Sequence, residues 1–339
     1  MVNKYIFKKE NLIFLSLIFA YFGCESKRDA IGADNEIRVI CSDVDKDEVE
    51  SFLKLIFNDS LHTPEPEPFY VLKFSRPESY SKLRKQTNVV VAAIDRDSTN
   101  TGLKLIKSIL PKKQRKNMVS NDPIIIAKDV HANHQLFMVI NANSYQHLLG
   151  YVDKKRNYIK RNFHELFIDR QSRFLFSQNN INPIRDSLLT EFGWYLELPW
   201  GWDIVKKVPD SNFVWLGKEM PYQWIGIGWR EGSIMNSELA VGKYLWEWPK
   251  NNYKTIQFSE HKFDLKKAAS DNFAAWRATG IWETSDLIES KGGPFRSYVF
   301  YDNKKDLTYH LNYLIFHPGN SKSIFLRQAD MILQTFKTY

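Results

Sequence analysis

The sequence predicts an α+β protein, with mixed and antiparallel sheets covered by helices and arranged as two packed halves. Three observations point there. Up to about residue 185, short β-branched runs alternate with segments whose apolar residues recur at helical spacing. Beyond it, short extended runs follow one another with few helices between them. All 10 tryptophans lie between Trp194 and Trp282, so the two halves build their cores from different residues. The chain has 339 residues, 43% of them hydrophobic and 25% charged, with a formal net charge of +8. Those proportions exclude disorder, collagen and coiled coil as its main state. One long apolar run, and no second, excludes a multi-span membrane protein.

The elements follow in order. Ile37–Ser42 reads as a strand, and Asp47–Asn58 as a helix with Val49, Phe52, Leu53, Ile56 and Phe57 on one face. Thr63–Pro68 (TPEPEP) is a stiff connector, because each proline fixes its own φ. Phe69–Phe74 and Asn88–Ile94 are strands; the second is apolar almost throughout and so belongs in the centre of a sheet. Gly102–Leu110 is a short helix stopped by Pro111, and Pro123–Lys128 with Gln135–Asn141 forms a hairpin. Residues 144–178 give the longest helical stretch, and Ile184–Phe192 follows Pro183 as another helix. Then come strands at Trp202–Val208, Asn212–Lys218 and Gln223–Arg230, and a helix near Ser237–Glu247. Thr255–Phe263, Trp276–Ser285, Phe295–Asp302 and Leu307–Phe316 read as extended, and Ser323–Phe336 as a closing helix. No repeat of 20–50 residues is visible.

At the N-terminus, Lys4, Lys8 and Lys9 precede an apolar run, Leu12–Phe22, and Gly23-Cys24 follows at once. The run is shorter than the about 20 residues a membrane-crossing helix needs, and it fits a secretory signal. The Gly-Cys pair resembles the lipobox of bacterial lipoproteins, in which the cysteine is lipidated and becomes the mature N-terminus; Tyr21 departs from the usual Leu. Removing residues 1–23 takes three basic and one acidic residue from 47 and 39, leaving 44 against 38. Cys41 is then the one thiol, expected to be buried and inert in its apolar strand, and no internal disulfide can form. The expected organisation is a signal segment (1–23), a flexible tether (24–35), an N-terminal α/β-patterned domain (36–185) and a Trp-rich α+β domain (186–339).

The run Arg277-Ala-Thr-Gly-Ile-Trp-Glu283, then Lys291-Gly-Gly-Pro-Phe295, His317-Pro318 and Gln334-Thr-Phe336, resembles a lipoprotein family catalogued as domain of unknown function 4837. Pro64–Phe69 (PEPEPF) and Asn212-Phe-Val-Trp-Leu216 are similar to further landmarks of that family. The sequence departs from it at Gln86-Thr-Asn88, where an Arg is expected before the Asn. The resemblance implies fold unity and export. It implies no catalytic residue, because the family has no assigned activity.

Motifs that carry chemistry are mostly absent: there is no G-x-S-x-G, H-E-x-x-H, phosphate-binding P-loop or C-x-x-C. Gly226-Ile-Gly228 lacks the third glycine and the following helix of a dinucleotide fingerprint. Two acidic clusters follow strands: Asp43, Asp45 and Asp47, and then Asp95 and Asp97. If those strands are parallel neighbours, the carboxylates meet at one edge and could hold Mg²⁺ or Ca²⁺; the alternative is that they cap helices and start turns. His131 and His134, with Asp129 close by, are either a partial zinc set or surface histidines, and the remaining histidines are scattered. Lys112-Lys-Gln-Arg-Lys116 and Lys154–Arg156 with Lys160 and Arg161 are solvated helix faces or contacts for an anionic envelope component. Among the tryptophans, Trp200, Trp202 and Trp282 with Arg277 and Arg296 could form an aromatic and cationic ligand platform, or simply core.

The functional expectation is a lipid-anchored protein of the bacterial cell envelope, at the outer membrane and facing the periplasm. It binds an envelope protein, glycan or lipid through its aromatic C-terminal domain rather than catalysing a reaction. The alternative is an envelope hydrolase of glycan or phosphate esters carried by Asp43, Asp45, Asp95 and Asp97; a third reading is a structural subunit. Export argues against nucleic acid as a partner, and no cofactor or metal is assigned.

Overall fold

The computed structural model describes residues 27–94, 96–177, 183–269, 273–285 and 290–339. The signal segment, Cys24 and Asp95 lie outside them. The N-terminal domain runs β1 (Glu36–Ile40), α1 (Lys46–Ile56), β2 (Ser60–Leu61), β3 (Glu67–Pro68), β4 (Val71–Ser75), α2 (Tyr80–Leu83), β5 (Asn88–Ala93), α3 (Thr101–Ile109), α4 (Lys112–Ser120), β6 (Ile124–Lys128), β7 (Leu136–Asn141), α5 (Tyr145–Leu149) and α6 (Val152–Phe176). Its five-stranded sheet has the order β4-β1-β5-β7-β6. Strands β4, β1, β5 and β7 are parallel, and β6 returns antiparallel as the far edge.

Every residue of β5 is buried, as a parallel strand covered on both faces requires. Alternation then divides its side chains. Val90 and Ala92 face α1 and α6, packing with Phe52, Ile56 and Phe163. Val89 and Val91 face α3, packing with Leu103 and Ile106. Each such large side chain taken wholly from water contributes about 1.5–3 kcal/mol.

The C-terminal domain runs α7 (Pro183–Phe192), β8 (Trp194–Tyr195), β9 (Asp203–Val208), β10 (Phe213–Lys218), β11 (Tyr222–Glu231), α8 (Glu238–Tyr253), β12 (Ile256–Ala269), β13 (Ala274–Thr284), β14 (Gly292–Asp302), β15 (Leu307–Phe316), α9 (Ser323–Leu333) and β16 (Lys337–Thr338). Its seven-stranded antiparallel sheet has the order β12-β13-β14-β15-β11-β10-β9. One face packs α8 through Val241, Leu245 and Trp248. The other packs α7 and α9 through Leu188, Leu326, Ile332 and Leu333. The whole is α+β, with mixed and antiparallel sheets covered by helices.

The two domains are joined by more than the chain. Gln328 Nε2 on α9 donates to Gln171 Oε1 on α6 at 2.7 Å. The Arg327 guanidinium lies 3.2 Å over the Phe167 ring. The proline-rich connector reaches across as well: Lys262 Nζ donates to Thr63 O at 3.2 Å, and Glu67 accepts from the backbone of Lys322 and Ser323. Its stiffness holds the loop in that extended reach.

One sequence expectation needs correction. The flexible tether was drawn over residues 24–35, yet residues 27–35 are docked on the domain. Ala30 N donates to Asn133 O at 2.8 Å, Ile31 N to Lys85 O at 3.1 Å, and Thr87 N to Ile31 O at 2.9 Å. Asp34 accepts from Arg170 Nε at 2.6 Å and from Gln171 Nε2 at 2.5 Å. A polar segment with no periodicity can still order when distant partners take its backbone. Helix α4 agrees with the solvated helix face read at Lys112–Lys116, since it buries only Met118.

Candidate functional site

A cleft of about 530 Å³ opens where α6 meets α9. The N-terminal domain lines it with Phe57, Asp59, Phe69, Tyr70, Lys160, Arg161, His164 and Ile168. The C-terminal domain adds Arg277, Tyr298, Arg327, Asp330, Met331 and Gln334. Helical spacing puts Lys160, Arg161, His164 and Ile168 on one face of α6, and strand alternation sets Arg277 beside its registered partner Tyr298. The volume falls within the range of small-molecule sites, roughly 300–1,000 Å³.

The floor is aromatic. Phe57 and Tyr70 meet edge to face at 5.3 Å, and both pack on Phe163, at 4.9 and 5.9 Å. Arg327 is buried there and donates to Phe69 O and Tyr70 Oη, each at 3.3 Å. Burial pushes its pKa down, and an arginine remains charged even so. Burial pushes Tyr70 up against the opposing pull of Arg327, so its phenol is neutral. Tyr298 is raised in the same way, by burial first and then by Asp330, whose Oδ1 accepts its hydroxyl at 2.8 Å. The Arg277 charge beside it pulls the Tyr298 phenol the other way.

The rim is charged. Lys160 Nζ pairs with Asp59 at 2.6 Å, and Arg161 stands 3.9 Å from Glu165. His164 is pushed down by burial and by Arg327, which leaves its imidazole neutral at neutral pH. Four permanent cations (Lys160, Arg161, Arg277, Arg327) thus face two carboxylates (Asp59, Asp330) in an apolar frame. Among the described residues that line the cleft there is no serine, threonine or cysteine, and its hydroxyls are the neutral phenols of Tyr70 and Tyr298. Its chemistry suits holding an anion with an apolar body.

The residues singled out in the sequence separate. Arg277 lines the cleft; Arg296 lies behind it, 3% exposed, with Nε 3.5 Å from Asp330 Oδ1. Trp282 is on the opposite sheet face, buried against α8, with Nε1 donating to Ile315 O at 3.1 Å. Trp202 is buried in the core around α7 and α9, and Trp200 stands 84% exposed on a loop, alone among the ten tryptophans in that exposure. The expected aromatic platform does not form. The tryptophans fill two faces of one sheet, because an antiparallel sheet packed on both sides needs bulk on both.

Among the described residues, Asp43, Asp45, Asp47 and Asp97 follow two strands, β1 and β5, that are parallel neighbours, while Asp95 lies outside the described residues. Asp43, Asp45 and Asp97 each have partners of their own. Asp45 is fully buried: its Oδ2 accepts from Ser42 Oγ at 2.8 Å and Asn100 Nδ2 at 2.9 Å, and its Oδ1 from Ile94 N at 3.1 Å. Asp43 pairs with Arg76 at 2.7 Å, and Asp97 caps the Thr99 N–H at 2.7 Å. Among the described residues no group of three or more His, Cys, Asp or Glu is placed to hold a metal. His131 contacts Tyr80 Oη at 2.8 Å while His134 contacts Asp169 at 2.9 Å, so the two imidazoles serve different partners. Cys41 is buried and its thiol is pushed up to about 12, by burial first and by Asp45 next.

Residues 182–335 match the family model described as Domain of unknown function (DUF4837). The match to that family lies in the C-terminal domain. Residues 30–175 match a second model, Domain of unknown function (DUF8532). The DUF4837 match thus covers Asn212–Leu216 and the landmarks from Arg277 to Thr335, while Pro64–Phe69 falls in the DUF8532 segment. No curated relative matches the chain. Among solved structures, PsbP (CyanoP) from Synechocystis sp. PCC 6803 is similar at 10% identity and a TM-score of 0.31, over 43% of this chain and 87% of that one. The Ran-binding protein Mog1p of Saccharomyces cerevisiae is similar at 9% identity and a TM-score of 0.32, over 43% and 90%. Likeness at that level carries no argument about what a DUF4837 protein does.

Proposed function

We propose that the protein is a lipid-anchored component of the bacterial cell envelope that binds an envelope amphiphile, an anionic group on an apolar or ring-bearing body, between its two domains. Cys24 and the segment before it support the anchor. The observation that carries the binding site is the pair Arg327, buried over the Tyr70 and Phe167 rings, and Arg277, half-buried beside Tyr298, at the domain junction. Desolvated guanidinium groups beside rings favour a carboxylate or phosphate whose body can lie on the aromatic floor. The binding is without turnover, and the recognition surface is shared by DUF4837 and the preceding domain rather than being the tryptophan-rich half alone.

The test is native mass spectrometry of the protein released from membranes, with and without added envelope lipid and glycan extract. An anionic adduct should appear at unit stoichiometry. Arg277→Met should weaken it by about 10-fold or more while the melting temperature stays, because one charged contact is removed from a site that keeps its shape. An adduct that survives Arg277→Met unchanged sinks the cleft as the site.

A further inference from the structure

We propose that the protein rests on its membrane through one face of the N-terminal domain, the edge where residues 27–31 dock, and that this face fits an anionic phospholipid surface. The proposal rests on the lipid-anchor reading above, since it takes Cys24 as the acylated residue. Two observations carry it: how short the free chain is, and what the edge displays.

Lys27 is already held by the domain, its Nζ donating to Asp129 O at 2.6 Å. Asn133 N donates to Arg28 O at 2.9 Å, and Asp29 bridges Asn133. Cys24 is three residues before Lys27, and three residues of extended chain span at most about 11 Å. An acyl group on Cys24 therefore holds the bilayer against this edge and leaves no long leash on which the body could turn.

The edge displays what such a surface would meet. Phe174 is 74% exposed and Ile31 58%. Arg28, Lys85 and Arg173 are exposed and carry no ion pair among the described residues. Burial first, and then the nearby charges of Arg84, Lys27 and Lys85, push the pKa of His131 down, so these three cations share one neighbourhood. Phe174 and Arg173 border a shallow hollow shared with Asp29 and His134. The neighbouring acids Asp34 and Asp169 are engaged with Arg170 and His134, so Asp29 and Asp129 are the opposing charges left at this edge among the described residues. Unpaired cations around an exposed aromatic side chain match a negatively charged headgroup layer, with the ring at its boundary.

The test uses the full chain, isolated with its lipid and reconstituted into phosphatidylcholine–phosphatidylglycerol vesicles carrying brominated acyl chains. A fluorophore is placed at Phe174→Cys in one sample and at Met220→Cys, on the other domain, in the second; Cys41 is buried and does not label. Quenching is expected at position 174 and not at 220. It should be lost in the triple variant Arg28→Glu, Lys85→Glu, Arg173→Glu, and at 1 M salt, where the screening length falls to about 3 Å. Equal quenching at both positions, or none at 174, with an acyl mass confirmed on Cys24, overturns the docking face and leaves the anchor standing. No acyl mass on Cys24 overturns both.

Discussion

The Glu67 carboxylate accepts the backbone N–H of Ser323 at 3.0 Å, across 256 residues of sequence, so the last helix of one domain is capped by a side chain of the other. The same carboxylate takes the Lys322 N–H at 2.8 Å and the Ser321 hydroxyl at 2.5 Å. A helix N-terminus leaves its first amides without partners and carries a partial positive charge, and a carboxylate answers both needs. Folding of α9 is thereby tied to docking of the proline-rich loop.

Glu67→Ala should therefore destabilise the protein by about 1–2 kcal/mol, the usual worth of a helix cap with its charge. Glu67→Gln, which keeps an acceptor and drops the charge, should fall between the two. Urea unfolding followed by circular dichroism reads this. An unchanged midpoint in Glu67→Ala would mean the cap contributes nothing.

Asp45→Ala strands the Ser42 hydroxyl, the Ile94 N–H and the Asn100 amide in a buried site. We expect a loss of about 3 kcal/mol or more, from several donors left without an acceptor. Added Mg²⁺ or Ca²⁺ should leave the melting temperature of the unaltered protein where it is. A cation-dependent rise that Asp45→Ala abolishes would restore the metal reading of this edge.

Gly228 has no side chain because α8 leaves no room for one: a Cβ there would meet Trp248 Nε1 at 2.8 Å and Cζ2 at 3.1 Å. Gly228→Ala should cost about 1–3 kcal/mol, as overpacking of a filled core does. Thermal melting checks it. A neutral result would show that the indole can shift at no cost.

His310 is enclosed by Trp248, with ring centroids 4.2 Å apart, by Tyr244 at 5.7 Å, and by Ser297, whose Oγ is 3.1 Å from Nε2. Burial pushes its pKa down to about 3, so the folded protein holds it neutral. Between about pH 3 and the ordinary 6.5, the unfolded chain binds a proton here that the folded chain refuses. Stability from this group is fully present above that window and falls as the pH drops through it, by about 1.4 kcal/mol per unit. His131 and His164, also lowered by burial, act in the same direction. Urea midpoints taken from neutral pH down to acid should fall less steeply in His310→Gln than in the parent; identical slopes would show that His310 does not couple folding to protons.

The fold was legible wherever side-chain period mattered. β5 was readable as a central strand because all six of its residues are buried, and α1 because Val49, Phe52, Leu53 and Ile56 fall on one buried face. The docked residues 27–35 were not, since they are held mainly by backbone pairing and Asp34. Of the cleft, Arg277 alone was singled out as a ligand contact. Lys160 and Arg161 were read as a helix face, and Arg327, Tyr298 and Asp330 gave no signal, being single residues on elements with no shared motif.

By itself the sequence determined the element order, the change of character near residue 185, the family match in the C-terminal domain and the signal-like N-terminus. Those are local properties, written in periodicity and short motifs. Only the tertiary structure decided that Asp45 is an internal acceptor rather than a metal ligand, that most of the tryptophans are packed into the domain, and that Glu67 caps Ser323. Each depends on which groups meet across long stretches of chain, and a side chain's chemistry is set by the partners that desolvate and hydrogen-bond it.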